Sequence, residues 1–250
     1  MGTQSVKVVI LKNGVVVSRS KAFSGFDPSK SAEEACGEAL KKAKLTSSDV
    51  DHVTATGSGM EMAISSDSTV SMMGADARAG VSLFPSARTV IDVGAEEARA
   101  VKCDDHGVMV DFVVNERCAA GAGAFIEAMA RALEVKLEEM GPLSLKAERA
   151  SPINASCVIF GESDVVTLIH RRESKPEIAR AIFDAMADRV SSMLFRLGLT
   201  PDVVLVGGAA KDVGFVASLK RKLGVDVFIP EYPEFAGALG AAMVAASRVR

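Results

Sequence analysis

The chain has 250 residues, a formal net charge of −3, and 48% hydrophobic and 24% charged residues, which is typical of a globular protein with one large core or two smaller ones. There is no basic stripe, no Trp and a single Tyr, so the composition excludes a nucleic-acid-binding protein. No run approaches the roughly 20 apolar residues of a membrane span, and the first residues lack the features of a signal peptide. We therefore expect a cytoplasmic protein with no membrane partner and no disulfides.

A hairpin followed by a helix is predicted at the start of the chain. Residues 6–10 and 15–18 are rich in β-branched side chains, and Asn13-Gly14 between them is a strong hairpin signal. Asp27 precedes Pro28, a pair typical of an N-cap and a first helical position. We expect this helix to end near residue 44.

A second group of strands follows a short strand predicted over 50–56. Strands are predicted over 87–93, 98–102 and 108–114, with a second hairpin-like turn between the last two. Because a hairpin, then strands, then helices occur twice, the pattern indicates two lobes of related architecture.

The rest of the chain alternates between helices and strands. Apolar residues at helical spacing predict helices after Cys118, from about Gly161 and from about Pro176. In the second helix we expect four side chains to point inward, namely Val165, Val166, Leu168 and Ile169. The apolar run 203–206 predicts a strand buried on both faces. A helix to about residue 223, a strand over 225–229 and a helix over 237–249 complete an α/β pattern.

Four glycine sites lie at predicted strand ends or helix starts. Backbone N–H groups beside glycine can approach phosphate oxygens, and a helix N-terminus favours an anion there. Singly, each glycine is more often a simple turn or cap, and no P-loop is present. An acidic-x-Gly in the second half and a later Gly-Gly together favour a two-lobed nucleotide cleft. The sites are Gly2-Thr3, Asp92-Val93-Gly94, Gly121-Ala122-Gly123 and Gly207-Gly208.

Two cysteines precede predicted helices. Cys118 and Cys157 lie where a helix dipole favours a thiolate, the form that iron–sulfur clusters bind. From spacing alone, both are more often small buried side chains, because no Cys-x2-Cys pattern exists. If they are ligands, they supply half of the four thiolates of a cluster, and a twofold partner supplies the rest. Cys36, in a helix, and Cys103, in a strand, are interpreted as packing residues.

Several segments resemble one known family. Residues 115–127 read NERCAAGAGAFIE and residues 154–163 read NASCVIFGES. Both are similar to the cluster-ligand segments of the 2-hydroxyacyl-CoA dehydratase activators and the ATPase subunits of benzoyl-CoA reductase. Further matches, in family order, are VIDVG at 90–94, LVGGAAK at 205–211 and AGALGAA at 236–242.

The resemblance implies an α/β, actin/hexokinase/Hsp70-like ATPase fold with two related lobes. Residues 1–85 with 236–250 would form lobe I, and residues 86–235 would form lobe II. Gly2, Thr3 and Gln4 would form the first phosphate loop. Asp92, as the catalytic residue, and Gly94 would form the second. Gly121, Ala122 and Gly123 would also contact the nucleotide, and Gly207, Gly208 and Lys211 would approach the adenosine.

The resemblance also implies cofactors and partners. Cys118 and Cys157 would bind a [4Fe–4S] cluster shared across a homodimer, or across a heterodimer with a related ATPase subunit. ATP or ADP with Mg would be the nucleotide, and reduced ferredoxin or flavodoxin the electron donor. The implied function is an ATP-dependent electron-transfer subunit that drives catalytic acyl-CoA dehydratase or reductase subunits.

This sequence departs from the family pattern in two places. The second phosphate loop reads DVGAEE, with Ala95 and Glu96 where activators usually have glycine and glutamine. Together with Arg99, this loop is more similar to the D-type subunit of benzoyl-CoA reductases. An acidic residue and its strand, expected before Gly2, are missing, so we expect a truncated or misassigned start. The alternatives are a non-hydrolysing, cluster-sharing partner subunit and a kinase of the same fold.

Overall fold

The computed structural model describes residues 1–63, 65–115, 123–154 and 156–249. Strands and helices alternate along the chain, and short 3-10 turns lie between some of them. In chain order they are β1 (Ser5–Lys12), β2 (Val15–Phe23), α1 (Pro28–Ala43), β3 (Thr54–Ala55), β4 (Ser68–Thr69), α2 (Met72–Leu83), β5 (Thr89–Val93), β6 (Ala98–Cys103), β7 (Met109–Val114), α3 (Gly123–Ala132), α4 (Leu137–Ser144), α5 (Val158–His170), α6 (Lys175–Leu197), β8 (Val203–Val206), α7 (Val213–Leu223), β9 (Val227–Phe228) and α8 (Ala236–Ala246).

The predicted hairpin and the helix after it are confirmed. β1 and β2 pair antiparallel, and Asn13 and Gly14 between them have φ angles of 52° and 76°, the left-handed values that a tight hairpin turn requires. Asp27 caps α1 by accepting a hydrogen bond from the backbone N–H of Lys30 at 3.0 Å. Pro28 is the first helical residue. α1 packs against both strands of the hairpin.

A five-stranded sheet in the order β7-β6-β5-β8-β9 forms the centre of the molecule. β5, β8 and β9 are parallel, whereas β6 and β7 are antiparallel to their neighbours. Side chains on one face of the sheet pack with α3, α6 and α7, and those on the other face pack with α2. All four residues of β8 are buried, so the prediction of a strand covered on both faces is confirmed.

Several element boundaries differ from those predicted. The strand predicted over 50–56 is Thr54–Ala55, and the one predicted over 225–229 is Val227–Phe228. The helix predicted directly after Gly208 starts only at Val213, because Asp212 caps that helix with its own side chain. α8 ends at Ala246 rather than at residue 249.

The predicted inward face of α5 is half wrong. Val165 and Leu168 are buried, but Val166 and Ile169 are exposed at 45% and 42%. Because α5 packs against α3 and α6 on one side, its opposite side keeps apolar residues at the surface. The helix also begins at Val158, earlier than Gly161.

The last helix returns to the first part of the chain. α8 packs against β1 and against α2, the arrangement that the division into 1–85 plus 236–250 and 86–235 requires. That division itself stays a prediction. Within the described ranges, no helix combines the length and the hydropathy that crossing a membrane demands.

The contact between α2 and α8 gives a stability prediction. A β-carbon added at Gly240 would overlap the backbone carbonyl of Ala75, which cannot move without shifting α2. We expect Gly240→Ala to lower the free energy of unfolding by about 2 kcal/mol, measured by denaturant titration.

Gly37 in α1 provides the matched control for this substitution. A β-carbon there meets no atom within 4 Å, so Gly37→Ala should raise stability by about 0.5–1 kcal/mol through helix propensity alone. Equal effects at the two glycines would contradict the close packing of α2 on α8.

Candidate functional site

A cleft of about 1930 Å³ opens between the hairpin side of the molecule and the ends of β5 and β8. The structure brings most of the predicted nucleotide-binding residues to this cleft, although they are far apart in the sequence. Those that line it are Gly2, Thr3, Gln4, Asp92, Gly94, Gly123, Gly208 and Lys211. Gly121, Ala122 and Cys118 lie outside the described residues.

The loop before β1 is fixed by backbone hydrogen bonds. The N–H of Gly2 donates to the carbonyl of Ser5 at 3.1 Å, and the hydroxyl of Ser24 donates to the carbonyl of Gly2 at 2.8 Å. The amide of Gln4 donates to both carboxylate oxygens of Glu127 at 3.3 Å. This loop is therefore connected directly to α3 on the other side of the cleft.

The loop after β5 is also connected to α3. Within the loop, the N–H of Gly94 donates to the carbonyl of Glu97 at 2.9 Å. The carbonyl of Gly94 accepts from Gly123 at 2.9 Å, and the carbonyl of Ala95 accepts from Ala124 at 2.7 Å. The first turn of α3 is thus held by the backbone of this loop, where its N–H groups face a site suited to an anion.

The turn after β8 closes another side of the cleft. Gly207 has φ 87° and packs against Asp92 and Val93, where no side chain fits. It does not line the cleft itself, whereas Gly208 and Lys211 do. The ammonium of Lys211 lies 2.8 Å from the carboxylate of Glu234, which fixes the side chain at the rim.

An apolar slot lies beside this turn. It is formed by Leu137, Gly141 and Pro142 of α4 and by Val213 of α7, all of which line the cleft. Leu137 and Val213 are exposed at 42% and 49%. A flat apolar group such as a purine ring would cover them. The slot could not be found from the sequence, because its residues resemble ordinary helix residues and only the fold brings them together.

A buried charge cluster forms the floor of the cleft. The guanidinium of Arg99, on β6, bonds to the carboxylates of Asp76 at 2.9 Å, Glu97 at 2.9 Å, and Asp92. Asp76 is only 1% exposed, and one of its carboxylate oxygens has no hydrogen-bond partner among the described residues. Burial and the nearby charge of Asp92 raise the pKa of Asp76 to about 7, although Arg99 opposes this change.

Lysine side chains supply positive charge around the same space. Lys7 and Lys21 line the cleft with Lys211. Burial and the charge of Lys21 lower the pKa of Lys7, while Asp92 and Glu234 act in the opposite direction. Several cations facing one cleft suit a polyanionic ligand such as a nucleotide.

A single family model covers nearly all of this chain. The model of the BadF/BadG/BcrA/BcrD ATPase family matches residues 1–245. The chain belongs to the BadF/BadG/BcrA/BcrD ATPase family. The resemblance noted in the sequence is thereby confirmed.

Relatives from two functional groups are similar to this chain over almost their whole length. The 2-hydroxyisocaproyl-CoA dehydratase activator of Clostridioides difficile is 32% identical over 98% of this chain and 92% of its own. The D-type subunit of the benzoyl-CoA reductase of Thauera aromatica is 35% identical over 99% of this chain and 92% of its own. Members of both groups named by the resemblance are therefore similar to it.

Solved structures give the same result for the fold. Component A of the Acidaminococcus fermentans (R)-2-hydroxyglutaryl-CoA dehydratase superposes with a TM-score of 0.95 at 31% identity, covering 99% of this chain and 96% of its own. A ROK family glucokinase from Streptomyces griseus, 13% identical, superposes with a TM-score of 0.61 over 99% of this chain and 97% of its own. The predicted actin/hexokinase/Hsp70-like fold is confirmed.

Within this family fold, Cys157 lies away from the cleft. It is the N-cap residue of α5 and is half-buried. α5 packs against α3 at Gly161, where an added β-carbon would lie 2.9 Å from the ring of Phe125. The N-terminal ends of α3 and α5, which follow the two predicted ligand cysteines, therefore belong to two helices in direct contact. Cys103 is buried in β6, as expected of a packing residue.

Asp76 was not among the residues singled out from the sequence. Its only sequence signal is a carboxylate inside a run of small and apolar residues, MMGADARAG, which predicts a buried charge once that run is placed on a helix. Arg99 was noted there, but its three acidic partners come from a helix, a strand and a loop.

The raised pKa of Asp76 gives a pH prediction. Its carboxyl keeps a proton in the folded protein over a pH range, from about 4 to about 7, in which the unfolded chain has released it. The stability that this group contributes is present below that range and is lost as the pH rises through it.

We therefore expect Asp76→Asn, which cannot ionise, to gain stability relative to the parent protein as the pH rises from about 5 to about 8. Free energies of unfolding for both proteins at the two pH values measure the effect. A difference that stays constant, or that changes in favour of the parent protein, contradicts the assignment.

Proposed function

We propose that this protein is an ATP-dependent electron-transfer subunit that carries half of a shared [4Fe–4S] cluster and drives an acyl-CoA dehydratase or a benzoyl-CoA-type reductase. The observation that carries the proposal is the pair of hydrogen bonds from Gly123 and Ala124 to the loop at Gly94 and Ala95. They tie a nucleotide loop to the helix that follows Cys118.

The cleft supports ATP as the ligand. In the proposed arrangement, the loops at Gly2–Gln4 and at Asp92–Gly94 hold the phosphates, and Gly207, Gly208 and Lys211 lie at the adenosine. The apolar slot at Leu137 and Val213 would cover the base. A similar protein, the activator of the 2-hydroxyisocaproyl-CoA dehydratase from Clostridium difficile, was solved with bound ADPNP; it is 32% identical and superposes with a TM-score of 0.93, over 99% of this chain and 92% of its own.

The described residues fit half of a cluster site. Cys157 is a free thiol at a helix N-terminus, a position that favours a thiolate. Among the described residues, no group of three or more His, Cys, Asp and Glu side chains could hold a metal. A cluster needs four thiolates, so Cys118 and Cys157 would hold it together with the same pair of a second chain. When bound, the cluster supplies a one-electron carrier of low potential.

The surface beside Cys157 supports pairing of two chains. Ile159 and Phe160 are exposed at 71% and 59%, and Val166 and Ile169 continue this apolar surface along α5. Exposed apolar groups next to each other on one helix are typical of a protein contact surface. A related ATPase subunit or a second copy would cover it and exclude water from the cluster.

Two connections would carry the nucleotide state to α3. One is the backbone pair at Gly94 and Ala95, and the other is the bond from Gln4 to Glu127. Each phosphate loop is thus joined to α3, so a change in the loops shifts the helix after Cys118. The electron would come from reduced ferredoxin or flavodoxin and pass to catalytic dehydratase or reductase subunits.

One observation favours a second candidate. Asp92 is paired with Arg99, and Ala95 replaces a glycine of the usual loop, so hydrolysis could be absent. The protein would then be a cluster-sharing, non-hydrolysing partner in a heterodimer. Release of phosphate from ATP by the reduced protein, purified without oxygen and with its cluster intact, supports the first function, and the absence of release supports the second.

The cluster assignment gives a direct prediction. Protein purified without oxygen should be brown and contain about 4 Fe per pair of chains. Cys118→Ser or Cys157→Ser should remove the iron, because a cluster that loses a thiolate from each chain has too few ligands. Iron analysis and the visible absorption spectrum measure this.

Cys36→Ser is the matched control, since Cys36 lies in α1, on a different part of the chain. It should retain the iron. Iron retained in either ligand variant, or lost in the control, contradicts the assignment.

The bond from Gln4 to Glu127 gives a prediction about coupling. A bond of this kind contributes about 1 kcal/mol, so Glu127→Ala should reduce the effect of ATP on α3 by about fivefold while ADP still binds. The measurement is the rate at which an iron chelator removes the cluster with ATP, relative to the rate with ADP.

Glu139→Ala, an exposed change on α4, is the control and should leave the ratio of the two rates unchanged. If Glu127→Ala also leaves it unchanged, this connection does not couple the cleft to the cluster.

A further inference from the structure

Arg99 is held by more negative charge than it can neutralise. Its guanidinium bonds to the carboxylates of Asp76, Glu97 and Asp92. One positive charge thus faces three acidic groups, and the second oxygen of Asp76 remains buried without a partner in the described chain. Such a cluster is incompletely compensated, and an additional group would change its balance.

The guanidinium also has donors left over. Arginine carries five N–H groups, and the three ion pairs use one on each nitrogen. One N–H on each terminal nitrogen has no acceptor among the described residues. Two parallel N–H groups of this kind match the oxygens of a phosphate.

Its position in the cleft fits a phosphate ligand. Arg99 lines the same cleft as Gly2, Thr3 and Gly94, and its side chain is 11% exposed. In the register of the sheet, Arg99 pairs with Asp92 on β5, which lies two residues before Gly94. The charged end of Arg99 therefore lies at the loop where the proposed function puts the phosphates.

We propose that Arg99 binds the terminal phosphate of ATP as an arginine supplied from within the chain, with Asp76 and Glu97 as the residues that position it. This inference rests on the proposed function, because it requires ATP in the cleft. Without a terminal phosphate, Arg99 pairs with Asp92. With one, it contacts the phosphate and leaves Asp92 to orient the attacking water.

The chemistry of this step is a simple hydrolysis. The oxygen of water forms a bond to the terminal phosphorus, and the bond from that phosphorus to the bridging oxygen breaks. ADP keeps the bridging oxygen with its electron pair, and the proton of the water passes to the released phosphate. Arg99 stabilises the negative charge on the phosphate oxygens during this exchange.

The same contact would report the terminal phosphate to the cluster segment. Arg99 follows Ala98, whose carbonyl accepts a hydrogen bond from the N–H of Asn115 at 2.8 Å. Arg99 itself pairs with Val114 across the sheet. A change in Arg99 therefore acts on the strand end that leads into residues 116–122, and so connects phosphate recognition to Cys118.

The test compares nucleotides with and without the terminal phosphate. Dissociation constants of ADP and of the non-hydrolysable analogue ADPNP are measured with Mg²⁺ on the full chain, purified without oxygen, together with the rate of phosphate release from ATP. For Arg99→Gln we expect ADPNP to bind about tenfold or more weakly, ADP to be nearly unaffected, and phosphate release to fall about 100-fold or more.

Arg99→Lys keeps the charge that the three carboxylates require, and so guards against loss of the fold. A lysine cannot contact the carboxylates and a phosphate together, so it should show the same selective loss for ADPNP, to a smaller extent. Arg88→Gln is the matched control. Arg88 bonds to the backbone carbonyls of Pro85 and Ala87, and its replacement should change neither affinity.

Each other outcome overturns a distinct statement. If ADP and ADPNP weaken equally in Arg99→Lys, Arg99 is a structural tether only. If both affinities and the hydrolysis rate stay at the level of the parent protein, Arg99 has no part in the reaction. If the parent protein binds neither nucleotide, the proposed function itself is wrong.

Discussion

The first turn of α3 is attached to the loop after β5 by backbone hydrogen bonds, and the organisation of the site depends on this attachment. Gly123 and Ala124 donate to Gly94 and Ala95, so the helix cannot move without the loop. Since α3 packs against α5 at Phe125 and Gly161, the loop, α3 and α5 form one mechanical unit. A ligand that reshapes the loop must shift both helices or break these bonds.

Much of this arrangement could be predicted from the sequence, because local signals were strong. Asn13-Gly14, Asp27-Pro28 and the apolar run of β8 each specify their structure within a few residues, and each prediction is confirmed. The glycine sites could be located, but singly they did not distinguish a ligand loop from a turn. Only the order of several segments, and their similarity to one family, gave them a common meaning.

The charge cluster and the apolar slot could not be predicted, because they depend on long-range packing. Asp76 and Arg99 are 23 residues apart and meet because α2 covers the face of the sheet that carries β6. The outward face of α5 was also misjudged. Val166 and Ile169 have the hydropathy of core residues, and periodicity cannot distinguish a side chain buried in the fold from one on an exposed surface.

The exposed surface of α5 beside Cys157 has a consequence for handling the protein. If two chains each supply half of the ligands, then the metal content follows mass action and depends on the concentration of subunits. Dilution would separate the halves and release iron even in the complete absence of oxygen. Titrating the protein downward would then reveal a threshold below which colour fades, and that threshold would report the strength of subunit association.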